Sequence, residues 1–239
     1  MKSEFKRGIK LGLPIGMGYF SVSLAFGMIA VKSGLDPWVA VLISMTNLTS
    51  AGQFAGVSLM ATGGGGIEMA LTMLMINARY FLMSLALTQK FTKEFSMINK
   101  LIVGFGVTDE IFTLAAVEKG ELNPSFLKGM IVLPYIGWAM GTLTGALMSN
   151  ILPELLQDAL GIALYGMFIA IIIPAVRESK KIFFTVLISV VCSCILKYIS
   201  IFSEITSGFA IIICTFIGAG IAAAIYPIKD SEEIEECIS

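Results

Sequence analysis

The feature that most constrains this chain is a series of apolar runs, several of them longer than the roughly 20 residues that an α-helix needs to cross a bilayer. Charged residues make up 14% of the 239 residues, and most of them lie between these runs. A soluble domain of this size would need a charged shell. The pattern therefore predicts an all-α polytopic membrane protein with seven or eight helical segments. The eight segments cover about residues 11–31, 37–61, 67–87, 101–117, 127–149, 160–176, 182–200 and 205–226.

Composition also excludes several other classes of protein. A transmembrane β-barrel would show short segments of alternating polarity, which these runs do not. A net charge of −1 provides no basic field for a nucleic acid. The four cysteines lack the spacing of zinc ligands, and histidine is absent. Because no catalytic triad or phosphate-binding loop is present, we expect no metal, no cofactor and no enzyme activity.

The N-terminus combines basic residues with a long first apolar run. The run is too long for a signal peptide and lacks a cleavage site, which predicts a retained first helix. Lys2, Lys6, Arg7 and Lys10 place the N-terminus in the cytoplasm by the positive-inside rule. The acidic composition of the tail, residues 229–239, predicts a solvated C-terminal end.

A weak internal duplication is visible between residues 8–118 and 127–228. The stretch LPIGMGYF, from Leu13, resembles LPYIGWAMG, from Leu133, and AGQFAG, from Ala51, resembles YGMFIA, from Tyr165. If all segments cross the membrane, the two halves are parallel; if segments two and six are broken or re-entrant, the halves are inverted. The inverted arrangement places one more positively charged loop residue on the cytoplasmic side than the parallel arrangement does, so the positive-inside rule favours it slightly.

The stretch TNLTSAGQFA, residues 46–55, places hydrogen-bonding groups in the middle of the second segment. A helix break near Ser50, Ala51 and Gly52 would present free amide N–H groups and the positive end of a half-helix to a carboxylate. The alternative is a regular helix that packs through its small residues. In the first interpretation, Asn47 and Gln53 add polar contacts. The phenylalanines that would form an apolar wall are Phe26, Phe54 and Phe168.

Charged residues inside segments three and four form a second candidate cluster. An ionisable group at bilayer depth costs roughly 2.5 to 3.5 kcal/mol on insertion scales, so it needs a partner or a function. Arg79, with Asn77 close by, lies in segment three, and Asp109 and Glu110 lie in segment four. One acid could pair with Arg79 while the other titrates. Alternatively, segment four is interfacial and both acids are solvated.

These motifs together resemble the AzlC family of branched-chain amino acid exporters. The resemblance rests on LPIGMGYFSVSLAFG, the AGQFA core, Asn77 to Arg79, the Asp109–Glu110 pair and GIALYGMFIA, and covers nearly the whole chain. It implies an inner-membrane permease that works with a small membrane partner, AzlD, and uses the proton gradient. Many members carry an acidic residue and a proline before the second Phe core, where this chain has Gly161 and Ile162, so the second half-site of this chain has no charge for ion coupling.

The sequence therefore predicts a secondary exporter of branched-chain and related apolar amino acids. The broken second segment would bind the substrate carboxylate, and Asp109 or Glu110 would accept its amine or the coupling proton. The sequence is also compatible with two other functions. One is a non-transporting subunit or scaffold, and the other is a channel-like pore for small solutes.

Overall fold

The structure, a computed structural model, describes residues 2–149, 151, 166, 169, 172–174, 176, 177, 179–199 and 205–226. The described residues are almost entirely helical. Their helices are α1 (Lys2–Lys32), α2 (Pro37–Thr46), α3 (Ser50–Ala61), α4 (Gly66–Thr88), α5 (Met97–Gly106), α6 (Asp109–Val117), α7 (Pro124–Met148), α8 (Lys180–Tyr198) and α9 (Ser207–Ile225).

Five of these helices, α1, α4, α7, α8 and α9, are long and apolar enough to cross a membrane. The predicted all-α polytopic membrane protein is thereby confirmed. Segment six and the acidic tail lie outside the described residues, apart from a few isolated positions of segment six.

The chain divides into two compact units. The first comprises Met1–Gly63 and Ile76–Leu164, and the second comprises Gly64–Met75 and Tyr165–Ser239. Helix α4 contributes its first part to the second unit and the rest to the first. All the predicted site residues that the structure describes belong to the first unit.

In the first unit, α1 and α7 lie backbone to backbone along most of their length. A Cβ added at Gly12 would lie 2.3 Å from the carbonyl oxygen of Met130, and one at Gly145 would lie 1.9 Å from that of Leu24. Only glycine permits this approach, as in other close-packed membrane helices. Since contacting residue numbers rise together along both helices, α1 and α7 run parallel.

Helices α2 and α3 form an antiparallel hairpin, here called the first hairpin. Ala40 and Val57 pack in one buried cluster, and the Gln53 side chain donates to Ser44 Oγ at 3.3 Å. With 10 and 12 residues, the two helices are about 15 and 18 Å long, roughly half the thickness of a bilayer core. Segment two is therefore broken and re-entrant, as predicted, with its tip at residues 47–49. This tip lies three residues before the expected position.

Helices α5 and α6 form the second hairpin, with its tip at residues 107 and 108. The segments at its base are joined, because Thr92 N donates to Leu122 O at 3.1 Å and Lys90 Nζ donates to the carbonyl oxygens of Ala116 and Glu118 at 2.8 and 2.6 Å. The chain thus enters α5 and leaves α6 at the same end of the unit. Segment four is also re-entrant, which the sequence analysis did not predict.

The two hairpins enter from opposite ends of α1. The first packs against Phe26 and Ala30, near the C-terminal end of α1. The second is tied to its N-terminal end by an ion pair between Arg7 and Glu118 at 2.8 Å. Since α1, with 31 residues, is about 46 Å long, the two tips approach each other in the middle.

The inverted arrangement of the two halves is wrong for their first helices. Inverted repeats would make α1 and α7 antiparallel, yet they run parallel. The physical reason is that segment four is re-entrant and does not cross the membrane, which removes one crossing between α1 and α7. Between α1 and α7, where every residue is described, α4 is then the only full crossing. Charged loop residues that the inverted arrangement separated, including Lys93 and Lys119, now belong to the same end as the N-terminus.

In the second unit, α8 and α9 pack antiparallel. The ideal Cβ of Gly218 would lie 2.2 Å from Ser189 Oγ, whereas Ala210, near the start of α9, shares a cleft with Lys197, near the end of α8. Glu68, in the first turn of α4, accepts a hydrogen bond from Thr206, which precedes α9. A carboxylate at a helix N-terminus is electrostatically favourable, so Glu68 stabilises the start of α9.

Candidate functional site: the polar junction between the hairpin tips

The first tip ends in the N-terminus of α3. Asn47 and Thr49 have extended backbone, with φ of −143° and −130°, and Thr49 Oγ1 accepts from Gly52 N at 3.4 Å. The backbone N–H groups of Ser50 and Ala51 have no acceptor in the described part of the chain. These free donors, with the helix dipole behind them, form a positive end that suits an anion.

The second tip ends in the N-terminus of α6. Val107 and Thr108 are extended, and Asp109 and Glu110 occupy the first turn of the helix. Carboxylates are favoured at this position because they face the positive end of the dipole. The second tip therefore carries its own anions, whereas the first tip carries none.

Arg79, on α4, pairs with Asp109. Its Nη1 lies 2.8 Å from Asp109 Oδ2 and 3.0 Å from Oδ1, and its Nη2 donates to the Tyr80 hydroxyl at 3.0 Å. The pairing of Arg79 with one of the two acids, expected from the sequence, is confirmed. The alternative in which both acids are simply solvated does not hold in this structure.

Glu110 has a different environment from Asp109. Its Oε2 accepts a hydrogen bond from the Tyr19 hydroxyl on α1, and no cation pairs with it among the described residues. With Arg79 matched to Asp109, Glu110 is the uncompensated carboxylate of the tip. Such a group can accept a substrate ammonium or a proton.

Asn77 and Tyr80 bring α4 to the first tip as well. Asn77 Oδ1 lies 3.4 Å from the ideal Cβ position of Gly52, and this buried oxygen has no hydrogen-bond partner within the described residues. The Tyr80 hydroxyl interacts with the Thr49 side chain. Helix α4 thus links both tips. We call the set of groups around them the polar junction: Tyr19, Asn47, Thr49, Ser50, Ala51, Gly52, Asn77, Arg79, Tyr80, Asp109 and Glu110.

Gln53 lies behind the first tip, against α7. It is 2% exposed, its Oε1 accepts from Trp138 Nε1 at 2.8 Å, and its Nε2 donates to Ser44 Oγ, which in turn bonds Thr142 Oγ1 at 2.7 Å. Both ends of the amide are therefore engaged within the protein. In this geometry Gln53 positions α3.

Phe26 and Phe54 lie together, as the sequence analysis expected of an apolar wall. Their ring centroids are 5.3 Å apart in an edge-to-face arrangement. Phe26 is fully buried and packs α1 against the first hairpin. The third predicted aromatic residue, Phe168, lies outside the described residues, so its place in the wall stays a prediction.

Four features of the site were not predicted from the sequence: Tyr19, Tyr80, Trp138 and the tip at Thr108. The signal for Thr108 was present, because a threonine followed by two acids is a typical start of a helix. Buried Tyr and Trp usually find partners for their polar atoms. For Tyr19 and Trp138, the identity of those partners depends on tertiary contacts between residues that are 91 and 85 positions apart in the sequence.

Comparisons with known proteins agree with this picture of a membrane protein. Residues 14–152 match the sequence profile of the AzlC family, described as AzlC protein. The inner membrane protein YgaZ of Escherichia coli (strain K12) is 25% identical over 187 residues, which cover 75% of this chain and 76% of the relative. An uncharacterised membrane protein of Archaeoglobus fulgidus is 29% identical over 175 residues, covering 72% and 76%. No solved structure matches the chain.

Proposed function

Because the chain belongs to the AzlC family, a family of membrane transport proteins, we propose that it is a secondary transporter exporting branched-chain and related apolar amino acids. The observation that carries the proposal is the pairing of unlike tips. The first offers uncompensated N–H donors at Ser50 and Ala51, and the second offers the unpaired carboxylate of Glu110. A zwitterion presents a carboxylate and an ammonium group to these two ends.

The proposed substrate orientation follows from the charges. The substrate carboxylate lies at the N-terminus of α3, within reach of the Ser50 hydroxyl and the Asn47 amide. The ammonium lies towards Glu110, and Asn77 Oδ1 is an additional acceptor. Asp109 is held by Arg79 and keeps the second tip in place. Export driven by the proton gradient uses the same uncompensated Glu110 as proton acceptor.

The aliphatic part of the substrate needs an apolar surface. Phe54, which packs beside Phe26, begins that surface on the first hairpin, and Phe168 is proposed to complete it. One methylene contributes only about 1 to 3 kcal/mol to discrimination in such a pocket, so several aliphatic side chains are accepted.

The membrane and orientation are part of the proposal. The basic residues Arg7 and Lys90 lie at the end of the unit where the second hairpin enters. The positive-inside rule places this end in the cytoplasm of a cell whose inner membrane holds the protein. The second tip is then reached from the cytoplasm and the first from outside. An AzlD-like small membrane protein is the proposed partner.

The function is tested by loading cells with a leucine-containing dipeptide and following leucine efflux, with the chain and its partner expressed separately and together. Saturable efflux above that of cells without the chain supports the proposal. Equal efflux in both rejects it, and efflux that does not saturate indicates a pore. Leucinamide, which lacks the carboxylate, and 4-methylpentanoate, which lacks the amine, serve as matched controls. Neither should compete with leucine.

A further inference from the structure

Two aromatic side chains on the α1–α7 pair each donate a hydrogen bond to one of the two hairpins. The Tyr19 hydroxyl donates to Glu110 in the second tip, and Trp138 Nε1 donates to Gln53 in the first hairpin at 2.8 Å. The two rings also contact each other edge to face, with centroids 5.3 Å apart and an interplanar angle of 74°. A continuous series of contacts therefore runs from Glu110 to Gln53.

The helices that carry these rings form a rigid frame. At Gly12 and Gly145 the backbones of α1 and α7 are in direct contact. Such close packing opposes any sliding of one helix along the other. The hairpins, in contrast, consist of half-length helices. Tyr19 and Trp138 therefore respond to a tip movement mainly by changing rotamer, and the edge-to-face contact makes each ring position depend on the other.

We propose that Tyr19 and Trp138 are positioning residues that transmit the occupancy of Glu110 to the first hairpin. When a cationic group takes Glu110, Tyr19 loses its acceptor and its ring is no longer fixed. Trp138 then loses the support of that ring, and its bond to Gln53 weakens. The first tip is released. The inference rests on the proposed function for the identity of the cation, but the coupling itself requires no substrate to be observed.

The test measures how accessible the first tip is when only the second tip is altered. In the full-length chain, with its four native cysteines replaced by serine, Ser50→Cys reports the first tip through its rate of labelling by a membrane-impermeant maleimide. Tyr19→Phe keeps the ring and removes the bond to Glu110. Labelling is expected to rise roughly threefold to tenfold, the effect of losing one hydrogen bond. Unchanged labelling would overturn the proposal.

A double-variant series tests the path through the aromatic pair. Trp138→Phe keeps a ring beside Tyr19 and removes the donor to Gln53, so it should raise labelling of Ser50→Cys by a similar factor. Combining it with Tyr19→Phe should add little, since both act on one path. Tyr135→Phe is the matched control, because the Tyr135 hydroxyl donates directly to Met45 O at 3.1 Å. In the double variant Tyr135→Phe/Tyr19→Phe, the increase in the labelling rate should equal the product of the two single increases, because the two residues act independently.

Two further readouts separate coupling from general loosening. Asp36→Cys, exposed before α2, should label at the same rate in all variants, whereas global destabilisation would raise both reporters. In transport, Tyr19→Phe should lower kcat and also lower KM for leucine by about threefold to tenfold, because the substrate ammonium no longer has to displace the Tyr19 hydroxyl from Glu110. Multiplicative effects of Tyr19→Phe and Trp138→Phe would refute the path. If Trp138→Phe fails to reach the membrane, Tyr19→Phe alone decides the outcome. Coupling without any amino acid efflux would reject the transport proposal only.

Discussion

Arg79 Nη1 lies 2.8 Å from Asp109 Oδ2, and this ion pair joins the middle of α4 to the first residue of α6. The same guanidinium lies 4.7 Å from the centre of the Tyr80 ring, and the Tyr80 hydroxyl interacts with Thr49 at the first tip. One cation thus stabilises the position of both tips. Because a lone charge at this depth is costly, each member of the pair depends on the other.

We expect Arg79→Gln to destabilise the protein more than the double variant Arg79→Gln/Asp109→Asn. The single change leaves Asp109 without a counter-charge, whereas the double change removes both charges. The difference should be about 1 to 3 kcal/mol in favour of the double variant. Thermal denaturation in detergent, followed by size-exclusion chromatography, measures it. Equal melting temperatures for the two variants would contradict the ion pair.

Glu110→Gln should reduce kcat/KM for leucine efflux roughly tenfold to a hundredfold, the effect of losing a charged hydrogen-bond partner. The amide cannot attract an ammonium group or accept a proton as the carboxylate does. Glu118→Gln is the matched control, because Glu118 bonds Arg7 at the base of the second hairpin, away from the tips. Full activity of Glu110→Gln, or an equal loss in Glu118→Gln, would remove Glu110 from the substrate site.

The re-entrant path of segment four is tested by single cysteines on either side of it. Lys93→Cys, before α5, and Lys119→Cys, after α6, should react with an impermeant reagent from the same side of the membrane. Ser33→Cys, between α1 and α2, should react from the opposite side. If α5 and α6 together crossed the bilayer, positions 93 and 119 would label from opposite sides.

The first tip was predicted from the sequence, whereas the second was not, although Thr108 followed by two acids has the pattern of a helix start. Residues 46 to 53 place so many hydrogen-bonding groups in an apolar run that an unbroken helix leaves several of them unused. At the second tip, Val107 is apolar and the glycines before it occur equally in regular membrane helices. Asp109 and Glu110 were interpreted as buried charges that need a partner, and not as residues of the first turn of a helix.

The direction of the helices shows a similar limit. Gly12 and Gly145 indicate close packing in any membrane protein, but the sequence does not state which glycine meets which backbone. Counting loop charges gave the wrong relation between α1 and α7, because the count depended on the path of segment four. The partners of Glu110 and Gln53 were likewise fixed only by tertiary contacts.

Gly145→Val should prevent α1 and α7 from packing. The first added atom alone would lie 1.9 Å from the carbonyl oxygen of Leu24, and backbone cannot move aside as a side chain can. We expect at least 1 to 3 kcal/mol of destabilisation, roughly the cost of overpacking, and a loss of monodisperse protein in fluorescence-detected size-exclusion chromatography. Gly18→Ala, whose Cβ meets nothing within 4 Å, should behave as the wild type. Similar elution profiles for both variants would argue against the close contact.

Gly52→Ala should weaken substrate binding at the first tip, and a second substitution should restore it. An added Cβ would lie 2.9 Å from Thr49 Cγ2, so the Thr49 side chain would have to rotate and lose its bond to Gly52 N. We expect KM for leucine to rise about threefold to tenfold, consistent with one disturbed cap. Thr49→Ser removes the clashing methyl group and keeps the capping oxygen. The double variant Thr49→Ser/Gly52→Ala should therefore recover most of the affinity in the efflux assay, and a KM that stays raised would show that Gly52 acts in another way.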